Sequence, residues 1–184
     1  MAWSNFPQGQ FGAILADPPW KFETWSDAGK GRSAERHYPT MNFDQLKALP
    51  VSEVAAKDCV LFLWATWPML LSAISLIDAW HFKYKTCGFA WMKNRPLGGL
   101  SLGTGYWTRA NTEVCLLAAR GHPKRLNADV PQAILEPRRE HSRKPDVYER
   151  IERLVGGPYL ELFARQRRSN WVSWGNEVDK RQAS

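Results

Sequence analysis

The sequence has little of what several common kinds of protein require. Its three cysteines, Cys59, Cys87 and Cys115, form no C-x-x-C pair. The sequence therefore predicts reduced thiols in the core, and neither a disulfide framework nor a metal site. No apolar run approaches the ~20 residues that span a bilayer, and no signal peptide is visible. We therefore expect a cytoplasmic protein that has no membrane partner. The four histidines show no spacing typical of a nucleophile–base pair.

Linkers and the common dinucleotide-binding motif are also missing. No Gly/Ser-rich or Pro-rich stretch divides the 184 residues, of which 44% are hydrophobic, and this is enough for one core. We therefore expect a single domain over residues 1–184. The sequence contains no G-x-G-x-x-G, so it does not indicate an ordinary dinucleotide site.

Positive charge and tryptophan, by contrast, are abundant. The net charge is +7, and residues 120–184 hold 14 Lys/Arg against 9 Asp/Glu. Basic clusters such as 165–168 suit phosphate contacts, which makes Arg167 and Arg168 candidate nucleic-acid ligands, although most charged runs are solvated surface. The ten tryptophans favour nucleic acid, because several lie in polar, loop-like sequence where stacking is more natural than core packing: Trp3, Trp20, Trp25 and Trp107.

The most informative segment is Ala13-Ile14-Leu15-Ala16-Asp17-Pro18-Pro19-Trp20. Residues 11–16 are typical of a short buried strand, and the two prolines cannot donate ladder hydrogen bonds, so the strand must end at Asp17. The carboxylate then lies at the carboxyl end of a strand, where open α/β sheets bind ligands. The segment therefore predicts an active-site loop.

The same segment predicts what the loop could bind. Asp17 and proline carbonyls without neighbouring N–H groups would accept hydrogen bonds from an exocyclic amino group, and an exposed Trp20 could stack on the ring that carries it. The alternative is a Pro-rich turn with a core tryptophan.

Strand-like and helix-like segments alternate along the chain, which predicts an α/β sheet with crossover helices. After residues 11–16 the predicted strands are 59–65, 84–92, 114–119, 159–163 and 171–175. The predicted helices are 43–49, 68–80 and one that begins at Pro145. The polar residues 21–40 have no hydrophobic period and predict a mobile loop over the site.

Asp17-Pro18-Pro19-Trp20 resembles the catalytic tetrapeptide of the messenger-RNA adenosine methyltransferase 70-kDa-subunit family, whose members make 6-methyladenine. The likeness runs from about residue 11 to 178 and includes further segments in the family's order, namely Val60-Leu61-Phe62-Leu63-Trp64, Gly103-Thr104-Gly105-Tyr106-Trp107, Ser142-Arg143-Lys144-Pro145-Asp146, Leu160-Glu161-Leu162-Phe163-Ala164-Arg165 and Gly175-Asn176. The chain resembles the compact bacterial and phage or prophage members, which lack the acidic strand that longer members carry before this motif.

The resemblance implies a Rossmann-like fold that depends on S-adenosylmethionine. It is circularly permuted, so the catalytic half comes first and the cofactor half last. The implied cofactor ligands are Asp17, Lys144, Phe163, Arg165, Asn176 and Glu177. Glu177 departs from the family's Gln, although a carboxylate can also accept hydrogen bonds from ribose hydroxyls.

The resemblance also implies substrate contacts beyond the catalytic residues Asp17, Pro18, Pro19 and Trp20. Tyr38 and Trp107 are expected to contact the target, and Tyr106 and Glu113 fall in or beside a second base-facing loop. For Tyr106 and Glu113 a packing role is equally compatible with the sequence.

The sequence thus predicts an adenine-specific methyltransferase that acts on nucleic acid, with DNA preferred over RNA. Asp17 and the Pro18 carbonyl would accept the two amine hydrogens and localise the nitrogen lone pair. Other acceptors stay open, namely cytosine or a protein amide, as do a catalytically inactive nucleic-acid-binding relative and a homodimer.

Overall fold

The computed structural model describes residues 5–20, 41–96, 98–103, 105, 107–137 and 144–178. Tyr38, Tyr106 and the predicted loop 21–40 lie outside these residues. The strands are β1 (Phe11–Ala16), β2 (Ala55–Ala65), β3 (Lys83–Asn94), β4 (Thr112–Arg120), β5 (Ala133–Pro137), β6 (Tyr159–Leu162) and β7 (Trp171–Trp174). The helices are α1 (Phe43–Lys47), α2 (Val51–Val54), α3 (Leu70–Ala79) and α4 (Tyr148–Leu154), and a 3₁₀ turn covers Trp67–Met69. The predicted α/β fold is confirmed.

The described strands form one sheet in the order β5-β3-β4-β2-β1-β6-β7. β1 is parallel to β2 and β6, β6 to β7, and β3 to β5, whereas β4 is antiparallel to both β2 and β3. The carboxyl ends of β1, β2, β3 and β6 therefore share one edge with the beginning of β4. We call it the carboxyl edge, and it is where the catalytic residues are expected.

β1 is central because both of its faces are covered. Ile14 and Ala16 pack in a core with residues of α1, α2 and α3, while Ala13 and Leu15 pack in a second core with residues of α4. This alternation is the strand period of two. Asp17 continues the α4 side, and Pro18 and Pro19 end the strand as predicted.

Helix boundaries follow local capping. Asn42 and Gln45 form a reciprocal capping box at the start of α1, with backbone-to-side-chain distances of 2.8 and 2.9 Å. The predicted start of α4 at Pro145 is wrong, because Val147 is the N-cap residue and the helix begins at Tyr148. Asp146 Oδ1 instead accepts a long hydrogen bond from the Tyr148 N–H at 3.3 Å.

The other differences between the predicted and the observed strands arise because strand pairing, rather than hydrophobicity, determines where a strand forms. β2 begins four residues before the predicted strand because Ala55 pairs with Phe11, although Lys57 and Asp58 are exposed. β5 was not predicted, since only Ile134 of its five residues is buried.

All three cysteines are free, and Cys59 and Cys115 are buried. In the described part of the chain, no helix is both long and apolar enough to cross a bilayer.

Candidate active site

Four charged side chains from four segments meet at the carboxyl edge. Asp17 follows β1, Glu113 is near the beginning of β4, Lys93 is near the end of β3, and Lys144 lies before α4. Lys144 Nζ lies 2.5 Å from Glu113 Oε2 and 3.4 Å from Asp17 Oδ1. Glu113 Oε1 accepts a hydrogen bond from Lys93. One ammonium group therefore holds two carboxylates that come from non-adjacent strands.

Burial makes this cluster electrostatically strong. Burial raises the pKa of Asp17, and the Lys144 ammonium opposes that rise. Burial alone also raises the pKa of Glu113, but the Lys144 and Lys93 ammonium groups outweigh it and hold the pKa below its ordinary value. For Lys144, the lowering effect of burial is overcome by Asp17 and Glu113, so its pKa is raised. All three groups are paired rather than isolated charges, as buried ions must be.

A pocket opens beside this cluster, on the α4 side of the sheet. Asp17, Lys144 and Arg165 contribute charge, and Trp64 and Phe163 contribute apolar surface. The remaining lining residues are Leu15, Pro145, Asp146, Val147, Tyr148, Glu161 and Gln166. The pocket therefore combines the predicted cofactor residues Lys144, Phe163 and Arg165 with Asp17, the predicted catalytic carboxylate.

Glu161 is a pocket residue that the sequence did not single out. Burial raises its pKa to about 7, and a hydrogen bond from Tyr148 partly opposes this. Its Oε2 is buried without a hydrogen-bond partner. A buried carboxylate oxygen of this kind can accept a hydrogen bond from an N–H or O–H group of a ligand.

The predicted cofactor residues separate into two groups. Lys144, Phe163 and Arg165 line the pocket together with Asp17, and Phe163 has a positive φ of 64° just after β6. Asn176 and Glu177 follow β7 and are not among the lining residues. Asn176 Nδ2 is nevertheless buried without a partner, so a polar group brought to it would remove an unsatisfied donor.

Two expectations about the Pro-Pro segment are corrected. The indole of Trp20 is not exposed: it is only 5% accessible, packs in the core with residues of α1 to α3, and donates a hydrogen bond to the Trp64 carbonyl at 3.2 Å. The Pro18 carbonyl is not without a neighbouring N–H, because it accepts from Trp20 N at 2.8 Å. A carbonyl oxygen has two lone pairs, so Pro18 retains one acceptor position. Pro19 completes the turn between them.

The predicted substrate residues are dispersed. Trp107 is completely exposed, and Glu113 lies inside the charged cluster rather than on the surface. Arg167 is exposed, whereas Arg168 donates to Asp146 at 3.1 Å and lies 4.1 Å from the centre of the Tyr148 ring. Arg168 therefore frames the pocket as well as carrying charge.

Sequence reasoning missed Lys93, Trp64, Tyr148 and Glu161 as site residues. Each lies at or near a strand end or helix start that borders the carboxyl edge, and that position is the signal that could have identified them. Among the described residues, no group of three or more His, Cys, Asp or Glu side chains could hold a metal ion.

Comparison with known proteins gives a consistent result. The family model described as MT-A70 matches residues 11–177. The chain is 31% identical to the type II methyltransferase M.MunI from Mycoplasma sp, over 95% of this chain and 80% of that protein. It is 32% identical to the N(6)-adenosine-methyltransferase MT-A70-like protein of Arabidopsis thaliana, over 93% of this chain and 24% of that protein.

The human N(6)-adenosine-methyltransferase catalytic subunit METTL3 is 30% identical over 93% of the chain, which spans 29% of the human protein. The chain thus covers most of the bacterial relative and less than a third of these eukaryotic ones.

Proposed function

Since this chain belongs to the MT-A70 family, we propose that it transfers the methyl group of S-adenosylmethionine to the exocyclic amino nitrogen of adenine in DNA. The observation that carries the proposal is the position of Asp17. Its carboxylate ends β1 at the carboxyl edge, is paired with Lys144, and faces a pocket lined by the predicted cofactor residues Phe163 and Arg165.

Asp17 supplies what an adenine amine requires. The lone pair of that nitrogen is delocalised into the ring, so the amine is a poor nucleophile. If Asp17 and the remaining lone pair of the Pro18 carbonyl accept the two N–H hydrogens, the nitrogen becomes more tetrahedral and its lone pair becomes available. The carboxylate also stabilises the positive charge that develops on nitrogen, so positioning and electrostatics suffice.

The residues of the pocket fit the amino-acid end of S-adenosylmethionine. Lys144 and Arg165 offer cationic donors to a carboxylate, and the buried Glu161 oxygen offers an acceptor to an ammonium group. Phe163 provides an apolar wall, and Asn176 and Glu177 remain assigned to the ribose. When bound, the cofactor supplies an electrophilic methyl group on a sulfonium.

One observation supports DNA as the nucleic acid, and a second supports a nucleic acid of either kind. The relative that the chain covers over 80% of its length is a type II methyltransferase, whereas the adenosine methyltransferases named above are covered over less than a third. The net charge of +7 suits a polyanionic partner. Tyr38, Tyr106 and Trp107 stay assigned to the target base, whereas Trp20, whose indole is buried and donates to the Trp64 carbonyl, is no longer assigned to stacking.

Asp17→Asn tests the proposal directly. It keeps the size of the side chain but removes the negative charge and introduces an NH₂ donor, so we expect a loss of methyl transfer of at least ~100-fold. Thermal stability should change much less. Tritiated methyl transfer to DNA measures the effect, and Asp44→Asn, at an exposed position of α1, is the matched control.

The acceptor is identified in the same assay. Parallel reactions contain adenine DNA, the corresponding RNA, and DNA in which a purine without the exocyclic amine replaces every adenine. Transfer to the amine-free DNA would refute the acceptor, and faster transfer to RNA would refute the choice of DNA. Full activity of Asp17→Asn would refute the role of the carboxylate.

A further inference from the structure

Buried polar atoms without partners mark places where a ligand could complete the structure. In the described residues five side-chain atoms have this property, namely Thr66 Oγ1, Asn94 Oδ1, Glu161 Oε2, Ser173 Oγ and Asn176 Nδ2. Glu161 and Asn176 belong to the cofactor side discussed above. Thr66 is different, because it follows β2 and therefore lies on the other side of Asp17, toward β4.

The backbone determines which face of the sheet Thr66 occupies. Its φ of −94° and ψ of 156° are extended, so the strand alternation continues one residue beyond the end of β2. Phe62 and Trp64 pack on the α4 side, whereas Leu63 and Ala65 pack on the opposite side. Thr66 therefore shares the face of Trp64, which is also the face of the Asp17 pocket.

The register determines its neighbours. Ala16 pairs with Leu63 and Ala65 pairs with Val114. If the parallel pairing of β1 with β2 is continued by one residue, Asp17 lies opposite Trp64. If the antiparallel pairing of β2 with β4 is continued by one residue, Thr66 lies opposite Glu113. Neighbouring strands lie about 4.8 Å apart, so the Thr66 position lies beside Glu113 and diagonally beyond Asp17, between the two carboxylates that Lys144 joins.

The segment that carries Thr66 is held in place. The Thr66 carbonyl accepts a hydrogen bond from Met69 N at 2.9 Å, and the Trp67 indole donates to Thr112 Oγ1 on β4 at 2.8 Å. The Thr66 side chain makes no capping hydrogen bond to the 3₁₀ turn that follows. The backbone that carries Thr66 is thus held in place, and the hydroxyl is still able to donate.

The proposed acceptor base needs such a donor. In adenine, the exocyclic amine that Asp17 would bind is adjacent to ring nitrogen N1, which is a hydrogen-bond acceptor. The Lys144 ammonium is already shared by Asp17 and Glu113. We propose that Thr66 is a specificity-determining residue whose hydroxyl donates a hydrogen bond to the ring nitrogen next to the target amine. This inference rests on the proposed function.

A chemical double-mutant cycle tests the inference. Thr66→Val removes the hydroxyl at nearly constant shape, and 1-deazaadenine removes N1 from the substrate. Random-sequence DNA that contains either adenine or 1-deazaadenine is methylated by wild type and by the variant. Any effect of 1-deazaadenine on base pairing is the same for both enzymes and cancels in the cycle.

We expect Thr66→Val to lower kcat/KM on adenine by about 10- to 100-fold, because the ring nitrogen is left without its donor. Wild type should lose a similar factor on 1-deazaadenine, and the variant should lose nothing further on that substrate. Thr66→Ser, which keeps the hydroxyl, should stay within about threefold of wild type, since the hydrogen bond is preserved.

Several results would overturn the inference. If the two losses multiply, Thr66 has a structural role that is independent of N1. A loss coupled to 7-deazaadenine instead would place the hydroxyl at the other edge of the base. Full activity of Thr66→Val would remove any role. If wild type methylates neither DNA nor RNA adenine, the proposed function fails first and the inference fails with it.

Discussion

At the residue scale, Lys144 matters because it has two carboxylate partners at once. The chain of charges runs from Lys93 through Glu113 and Lys144 to Asp17. A ligand carboxylate that binds Lys144 would weaken its hold on both partners and leave them better able to accept hydrogen bonds from a substrate. Cofactor and substrate binding should therefore be energetically coupled through this side chain.

The buried Glu161 predicts a pH dependence of stability. Its pKa is about 7 in the folded protein against an ordinary value of 4.5, so between these values the folded state holds a proton that the unfolded state has lost. The stability gained from the neutral group is full below about pH 4.5 and is lost as the pH rises through about 7. Over this pH range the free energy of unfolding falls by an amount of the order of 3 kcal/mol.

Glu161→Gln should remove this dependence of the free energy of unfolding on pH. Above pH 7 the variant should be more stable than wild type. Urea unfolding at intervals between pH 4.5 and 8 measures both effects. Glu149→Gln, at an exposed position of α4, controls for the change in net charge. Parallel stability curves for wild type and Glu161→Gln would contradict the assignment.

At the element scale, the loop after β6 lies against the end of β7. A Cβ on Gly175 would overlap the Ala164 carbonyl oxygen and lie 2.6 Å from Ala164 N. That backbone N–H donates to the Trp174 carbonyl at 2.9 Å. Only glycine therefore allows the two segments to approach so closely, and Ala164 lies between the pocket residues Phe163 and Arg165.

Gly175→Ala should consequently destabilise the protein by about 1–3 kcal/mol, the usual cost of overpacking, and should weaken cofactor binding. Thermal unfolding and calorimetric titration with S-adenosylmethionine measure the two effects. Gly156→Ala is the control, because a Cβ there meets no atom within 4 Å. Equal behaviour of the two variants would mean that the loop adjusts freely.

The sequence predicted the elements with strong local signals and missed those that depend on pairing. The strand before Asp17 was predicted correctly, because its apolar run ends in two prolines. The reversed direction of β4 has no local signal, since an apolar run looks the same in either direction. Glu161 was missed because it is a polar residue in a short strand, and its burial beside Tyr148 of α4 is a tertiary contact that no local signal shows.

At the scale of the whole molecule, positive charge is concentrated in the last third of the chain. Arg167 is exposed there, beside the pocket residue Gln166. If Arg167 and Arg168 contact phosphates, replacing both with Ala should flatten the slope of log affinity against log salt for DNA by up to about 2 units. Sequence preference should not change, because phosphate contacts carry no base information.

The single variants divide this change. Arg167→Ala and Arg168→Ala should each flatten the slope by up to about 0.9, the value of one phosphate contact. Lys85→Ala, near the start of β3 and thus at the opposite edge of the sheet, removes the same charge as a control. Equal slopes for Arg167→Ala and Lys85→Ala would indicate a general charge effect rather than a phosphate path.

The reversal of β4 also bears on how the protein can be altered, whether by evolution or in the laboratory. Residues 95–111 connect β3 to β4 at the carboxyl edge, and both of their ends are anchored by neighbouring strands of one sheet. Their length and composition can therefore vary while β1, β2 and β6 keep the reacting groups in place. If Tyr106 and Trp107 of this connection contact the target, as proposed, transplanting the connection between relatives should alter target choice without changing the residues that carry the reaction.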